Sequence, residues 1–225
     1  LFEVGWCLHT DGGAYHTQLT ARTLGLAEFL VHGRVEGSAA GTVAGDTVKP
    51  RDYLEHGRIA GEDFDLAIAY DSGNPVVRRE TPPAEKYREP VPASQVSGAI
   101  DGLSAIALDV LTSRRTGKCQ ASALVFDGRQ LRRLTTTTAG SETLAPGGSS
   151  IFSGQALRCD TVSVMLSGFL KDKPVARQAR PYHSSAWLAP LAPGGPSVPV
   201  RFAFDADVLG EFLVDLDRVD SGGCS

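Results

Sequence analysis

Apolar and polar residues alternate with a period of two along most of this chain. Phe2, Val4, Trp6 and Leu8 alternate with Glu3, Gly5, Cys7 and His9, which turns one face of an extended segment toward a core and the other toward water. Phe64, Leu66, Ile68 and Tyr70 do the same against Asp63, Asp65, Ala67 and Ala69. Val162, Val164 and Leu166 share a face, as do Phe212, Val214 and Leu216. Further strands are predicted at 14–22, 34–44, 47–58, 120–126, 130–138, 180–188 and 198–205. The total is about eleven or twelve, at the spacing of antiparallel sheets. Asp11-Gly12-Gly13, Asp71-Ser72-Gly73-Asn74 and Asp127-Gly128 are short links of the kind that close hairpins. Strands joined so tightly are antiparallel, because parallel neighbours need long crossovers.

One segment breaks the pattern. Ile100, Leu103, Ile106, Ala107, Val110 and Leu111 recur at helical spacing. Asp101 can cap the start, and Arg114, Arg115 and Gly117 mark the end, which predicts a helix over 101–112. Leu108 lies off the main stripe, so this helix is apolar on more than one side and belongs in the core or inside a curved sheet. The predicted fold class is mostly β: a long, curved antiparallel sheet wrapped around one central helix. Pro-rich stretches at 81–95 and 190–199, a Gly/Ser-rich stretch at 139–155 and a charged one at 171–181 read as exposed loops. None holds a repeat or marks a boundary, so residues 1–225 read as one domain with a ragged, flexible tail at 220–225.

With 225 residues, 42% of them hydrophobic, and a net charge of −4, the chain can bury a substantial core and is not of disordered composition. No Lys/Arg block exceeds two residues at a pI near 5.7, which argues against a nucleic-acid partner. No run approaches the roughly 18 apolar residues of a spanning helix, so the chain is not expected to span a membrane. It begins at Leu1 rather than Met, as expected of a mature or trimmed form. Cys7, Cys119, Cys159 and Cys224 show neither C-x-x-C nor zinc-finger spacing. They allow several pairings, or four unrelated thiols, and arithmetic does not choose.

Ile68-Ala69-Tyr70-Asp71-Ser72-Gly73 superficially matches the aspartic-protease pattern. That chemistry needs two carboxylates sharing a proton, and Asp220-Ser221-Gly222 lacks the apolar continuation of a second copy. Asp71 to Asn74 therefore read as a turn. Neither a G-x-S-x-G elbow nor a glycine-rich phosphate loop is present, so no enzyme activity and no cofactor are expected. His9 and His16 flank the first turn with Asp11 and read as solvated cross-strand neighbours rather than metal ligands. Arg114, Arg115, Arg129, Arg132 and Arg133 form a local basic cluster that reads as a solvated face, with contact to an anionic headgroup as the alternative.

Several runs resemble the motifs of one known family. Ala99-Ile100-Asp101-Gly102-Leu103-Ser104-Ala105 resembles its G-A-[LI]-D-x-L-S-A helix start, and Val125-Phe126-Asp127-Gly128-Arg129 its V-F-D-G-[KR] hairpin, with Glu142-Thr143-Leu144 following suitably. Ser153-Gly154-Gln155-Ala156-Leu157-Arg158-Cys159 resembles its G-x-A-x-x-C entry to a strand that ends in Gly168-Phe169. Trp187-Leu188-Ala189 and Val198-Pro199-Val200-Arg201 complete the order. The chain thus resembles, from Phe2 to about Val219, the exported bacterial family catalogued as domain of unknown function 3108. The resemblance implies a secretory signal peptide, the periplasm of a Gram-negative cell, and a β-spiral architecture similar to the lipoprotein-carrier fold. It also implies a Cys119–Cys159 disulfide and leaves Cys7 and Cys224 open. No catalytic residues carry over.

Two functional expectations follow. The first is a non-enzymatic carrier or sensor of a lipid or other apolar envelope molecule, held in the concavity between sheet and helix. Phe2, Trp6, Phe64, Ile68, Ile106 and Val110 are the candidate lining, with a dry packed core as the alternative for the same residues. The second is a protein-interaction module that supports envelope integrity, meeting an envelope protein through an exposed sheet edge or the Pro-rich loops.

Overall fold

A computed structural model describes residues 2–24, 33–45, 47–206, 210–219 and 224. Six strands form the first half: β1 (Phe2–Asp11), β2 (Ala14–Thr23), β3 (Gly33–Ala44), β4 (Thr47–Ile59), β5 (Glu62–Asp71) and β6 (Asn74–Thr81). A connector then leads into helix α1 (Gly102–Thr116). The second half holds β7 (Gln120–Phe126), β8 (Leu131–Leu144), β9 (Gly154–Ser167), the short helix α2 (Val175–Gln178), β10 (Tyr182–Pro190), β11 (Ser197–Ala206) and β12 (Gly210–Asp215).

Each half is a six-stranded antiparallel sheet whose strands lie in chain order, β1 to β6 in one and β12 back to β7 in the other. The turns explain this meander. Gly12 and Gly13 both have positive φ between the paired residues Asp11 and Ala14, the two-residue geometry that matches strand twist. Ser72 and Gly73 do the same between Asp71 and Asn74. The mostly-β, antiparallel expectation therefore holds, with twelve strands among the described residues. The curved antiparallel sheet around a helix is built as two six-stranded sheets, because β6 and β7 are separated by the Pro-rich connector and α1. That connector is stitched to the second sheet, with Ile100 N–H donating to Leu124 O and Phe126 N–H to Ile100 O, both at 2.9 Å.

Asp101 starts α1 by accepting from the Ser104 backbone N–H at 2.8 Å, and Gly117 ends it in a left-handed conformation. The helix thus runs four residues past the expected end at 112, to Thr116. It packs against β2, β3 and β4 on one side and against β7 and β11 on the other. Small residues, Ser104, Ala105, Ala107 and Ser113, are among those it buries, which lets both sheets approach closely. One core cluster joins Ala39, Tyr53, Leu66 and Ile68 of the first sheet to Leu103 and Phe126. A second gathers Val110, Leu188 and the Cys119–Cys159 disulfide, with Trp6 and Leu8 packed against it. The sheets also meet where the β7–β8 hairpin tip rests on β5: a Cβ at Gly128 would come within 2.6 Å of Leu66 Cδ1, so only glycine fits there.

The loop expected at 139–155 needs correction. β8 continues through Leu144, and a register shift between Thr138 and Gly140 accommodates the extra residue. The Ser, Glu and Thr of that stretch pair with β9, so their polarity conceals a strand. Likewise α2 lies within the expected loop at 171–181, and β10 and β11 extend to Pro190 and from Ser197. The tail at 220–225 lies outside the described residues except for Cys224, which is disulfide-bonded to Cys7, 217 residues away. All four cysteines are therefore paired.

Candidate functional site

Among the described residues, an open groove of mixed polar and apolar lining lies where the first edge strand, β1, faces the chain that follows β12. Its volume is about 450 Å³. One wall is the run Glu3 to Leu8, with Gln18 and Thr20 beside it on β2. The other is Asp215 to Val219, together with Leu191, Val198 and Pro199 from the β10–β11 hairpin. Arg114, from the last turn of α1, reaches the same space.

The alternation of β1 explains why the wall is greasy. Leu8 packs into the core, Trp6 packs on Val110 and the Cys119–Cys159 disulfide, and Val4 is 42% exposed. The apolar stripe of one strand thus leaves the core and continues into the groove. Leu191 and Val219 are exposed apolar side chains across from it, and Leu216 and Val198 pack back onto the second sheet's core. The indole Nε1 of Trp6 is out of solvent contact and has no hydrogen-bond partner among the described residues.

The groove's acids are largely matched. Glu3 pairs with Arg22 at 2.5 Å and Arg218 at 3.6 Å, and Asp215 with Arg201 at 2.6 Å. Asp217 is exposed to water. Arg114 is half-buried, its Nε donating to Ser197 O at 2.8 Å. No carboxylate of the described residues pairs with it, and burial alone pulls its guanidinium below the ordinary value.

A second cleft of about 580 Å³ lies on the first sheet around Arg34, His56, Arg58 and Phe64. Its charges are occupied with one another: Glu36 takes Arg34 at 2.5 Å and His56 at 3.4 Å, and Asp63 takes Arg58 through two bonds of 2.6 and 2.7 Å. Beneath α1 lies a closed polar centre. Asp101, 0% exposed, accepts from the Ser104 hydroxyl at 2.6 Å and the Tyr70 hydroxyl at 3.2 Å. Tyr15 is bonded to Ser104 Oγ at 2.6 Å, so the network ties β2 and β5 to the helix start. Burial pushes the Asp101 carboxyl up, against the hydrogen bonds from Ser104 and Tyr70 that hold it down.

The six residues expected to line one cavity are dispersed. Trp6 lines the groove and Phe64 the second cleft, where the Arg129 guanidinium stands 5.8 Å from its ring. Ile68 is in the core, Ile106 packs beside the same cluster, and Val110 is 2% exposed next to the disulfide. Phe2 is on β1 opposite Thr23, and its side chain lies outside the described residues. The physical reason is that α1 fills the concavity. The basic cluster is dispersed too: Arg129 pairs with Glu80 at 3.1 Å, Arg132 donates to Ser163 Oγ at 2.7 Å, and Arg114 faces the groove. Asp71 sits in its hairpin turn, bonded to Arg78, and His9 and His16 are cross-strand partners. Sequence reasoning missed Arg114, Leu191, Pro199, Leu216 and Val219 as one site. Val4, Trp6 and Leu8 carried a signal as members of the β1 alternation, Leu216 as part of the Phe212–Val214 stripe, and Arg114 as part of the basic cluster, but nothing in the sequence joined them.

These features define a disulfide-bonded, two-sheet antiparallel β protein with a helix enclosed between its sheets. The chain belongs to the family described as protein of unknown function, DUF3108, which matches residues 3–217. No curated protein and no solved structure matches it.

Proposed function

We propose that this is an exported, non-enzymatic protein of the bacterial periplasm that binds a lipid-like apolar ligand in the groove along β1. The observation that carries the reading is the apolar stripe of β1 running out of the core into an open groove. Val4, Leu191 and Val219 stand exposed there, where an acyl chain would cover them. Two disulfides support export, since such bonds persist in oxidising compartments. No helix of the described residues is long and apolar enough to cross a membrane. The edge position of β1 favours a second reading, an interaction module that receives an extended segment of an envelope protein.

The chain's two tryptophans make the test local. Trp6 lines the groove, whereas Trp187 is buried elsewhere with its Nε1 donating to Glu142 at 2.9 Å. In the Trp187→Phe variant, brominated single-chain lipids should quench the remaining fluorescence saturably. In Trp6→Phe they should leave it unchanged. Absence of quenching at Trp6 by any brominated lipid would overturn the lipid reading in favour of the interaction module.

A further inference from the structure

We infer that the groove selects single-chain lipids with an anionic headgroup, and that Arg114 is the residue that reads the charge. The inference rests on the acyl-chain reading of the same groove. A half-buried guanidinium has lost part of its hydration, and that loss is ordinarily offset by a carboxylate. Glu3 and Asp215 are each engaged by other arginines, and Asp217 is solvated, so none supplies that offset to Arg114. Its one hydrogen bond among the described residues, from Nε to Ser197 O, fixes the side chain and leaves the terminal nitrogens without a partner there. Those nitrogens present the planar fork that matches a carboxylate or phosphate. The position at the C-terminal end of α1 helps to hold the cation in place while the groove is empty. Exposed apolar side chains beside a half-buried cation that has no carboxylate partner among the described residues are complementary to an amphiphile with a negative head.

The test compares brominated stearic acid, ionised at alkaline pH, with a neutral brominated monoacylglycerol, both read by quenching of Trp6 in the Trp187→Phe background. The acid should bind about tenfold more tightly, equivalent to about 1.4 kcal/mol. Arg114→Gln should bring the acid down to the neutral lipid's affinity and leave the neutral lipid unchanged. Arg115→Gln, at the exposed neighbouring position, should keep the preference. If Arg114→Gln does not fold, the salt dependence of the Trp187→Phe protein serves instead: the acid's advantage should shrink as salt rises and the neutral lipid's affinity should hold. Equal, salt-insensitive binding of both lipids overturns the role of Arg114 and leaves the acyl-chain reading standing. Quenching by neither lipid overturns both.

Discussion

The region between α1 and the two sheets holds buried core clusters, whereas the groove along β1 stands open to solvent. The helix packs against strands of both sheets, and its small residues let those strands come near. Leu103 and Val110 are buried among side chains of the surrounding strands. The groove is walled by β1 and by the chain after β12, at the edges of different sheets that are not paired with each other. The apolar residues of α1 are covered by both sheets, whereas the apolar stripe of β1 outruns the core at Val4.

The contrast breaks first at Leu103. It packs against Gly37 on β3, where a Cβ in place of the glycine hydrogen would stand 3.4 Å from Leu103 Cδ1. Leu103→Asp buries a carboxylate there without a partner, and the expected loss is about 4 kcal/mol or more. Urea denaturation or a melting curve reads it, and an unchanged midpoint would show that the interior is not closed.

The Cys119–Cys159 disulfide comes next, because it too lies in the closed region, with a sequence separation of 40 and Cα atoms 5.5 Å apart. Cys159→Ser with Cys119→Ser should cost about 2–4 kcal/mol, chiefly by freeing the unfolded chain. The loss should appear in stability, with little change in lipid quenching at Trp6.

Asp109 makes the stability of the α1 region depend on pH. Its carboxyl accepts from Thr136 Oγ1 at 3.0 Å, its other oxygen is buried without a partner among the described residues, and burial pushes its pKa up to about 6. An unfolded aspartate titrates near 3.9. Between the two values the folded state holds a proton that the unfolded state has lost. This group's contribution is therefore fully present below about pH 4 and lost as pH rises through about 6. Asp109→Asn should flatten that slope and raise stability at neutral pH by up to about 2–3 kcal/mol, measured by denaturation at acid and neutral pH.

The smallest stability effect belongs to the groove. Val4→Ser and Val219→Ser replace exposed side chains, so each should shift stability by less than about 0.5 kcal/mol. Together they should weaken lipid quenching at Trp6 several-fold. A large fall in stability with unaltered quenching would reverse the assignment of open and closed regions.

Most secondary structure was legible in the sequence because it rests on short-range rules. The strand read at the start of the chain, the Asp11-Gly12-Gly13 turn and the Asp101 cap each report a local backbone choice, and each is found as expected. The Cys119–Cys159 pair was legible through the family resemblance, and it is formed. The extension of β8 through Ser141 and Thr143 was hidden, since a strand made of polar residues is visible only through its partner. The division into two sheets, the Cys7–Cys224 bond across 217 residues and the meeting of Arg114 with Val4 and Val219 were decided by the tertiary structure alone. Periodicity states which face of a strand is apolar. Which apolar face is covered depends on where distant elements land, and here α1 landed on the concavity and left the end of the β1 stripe bare.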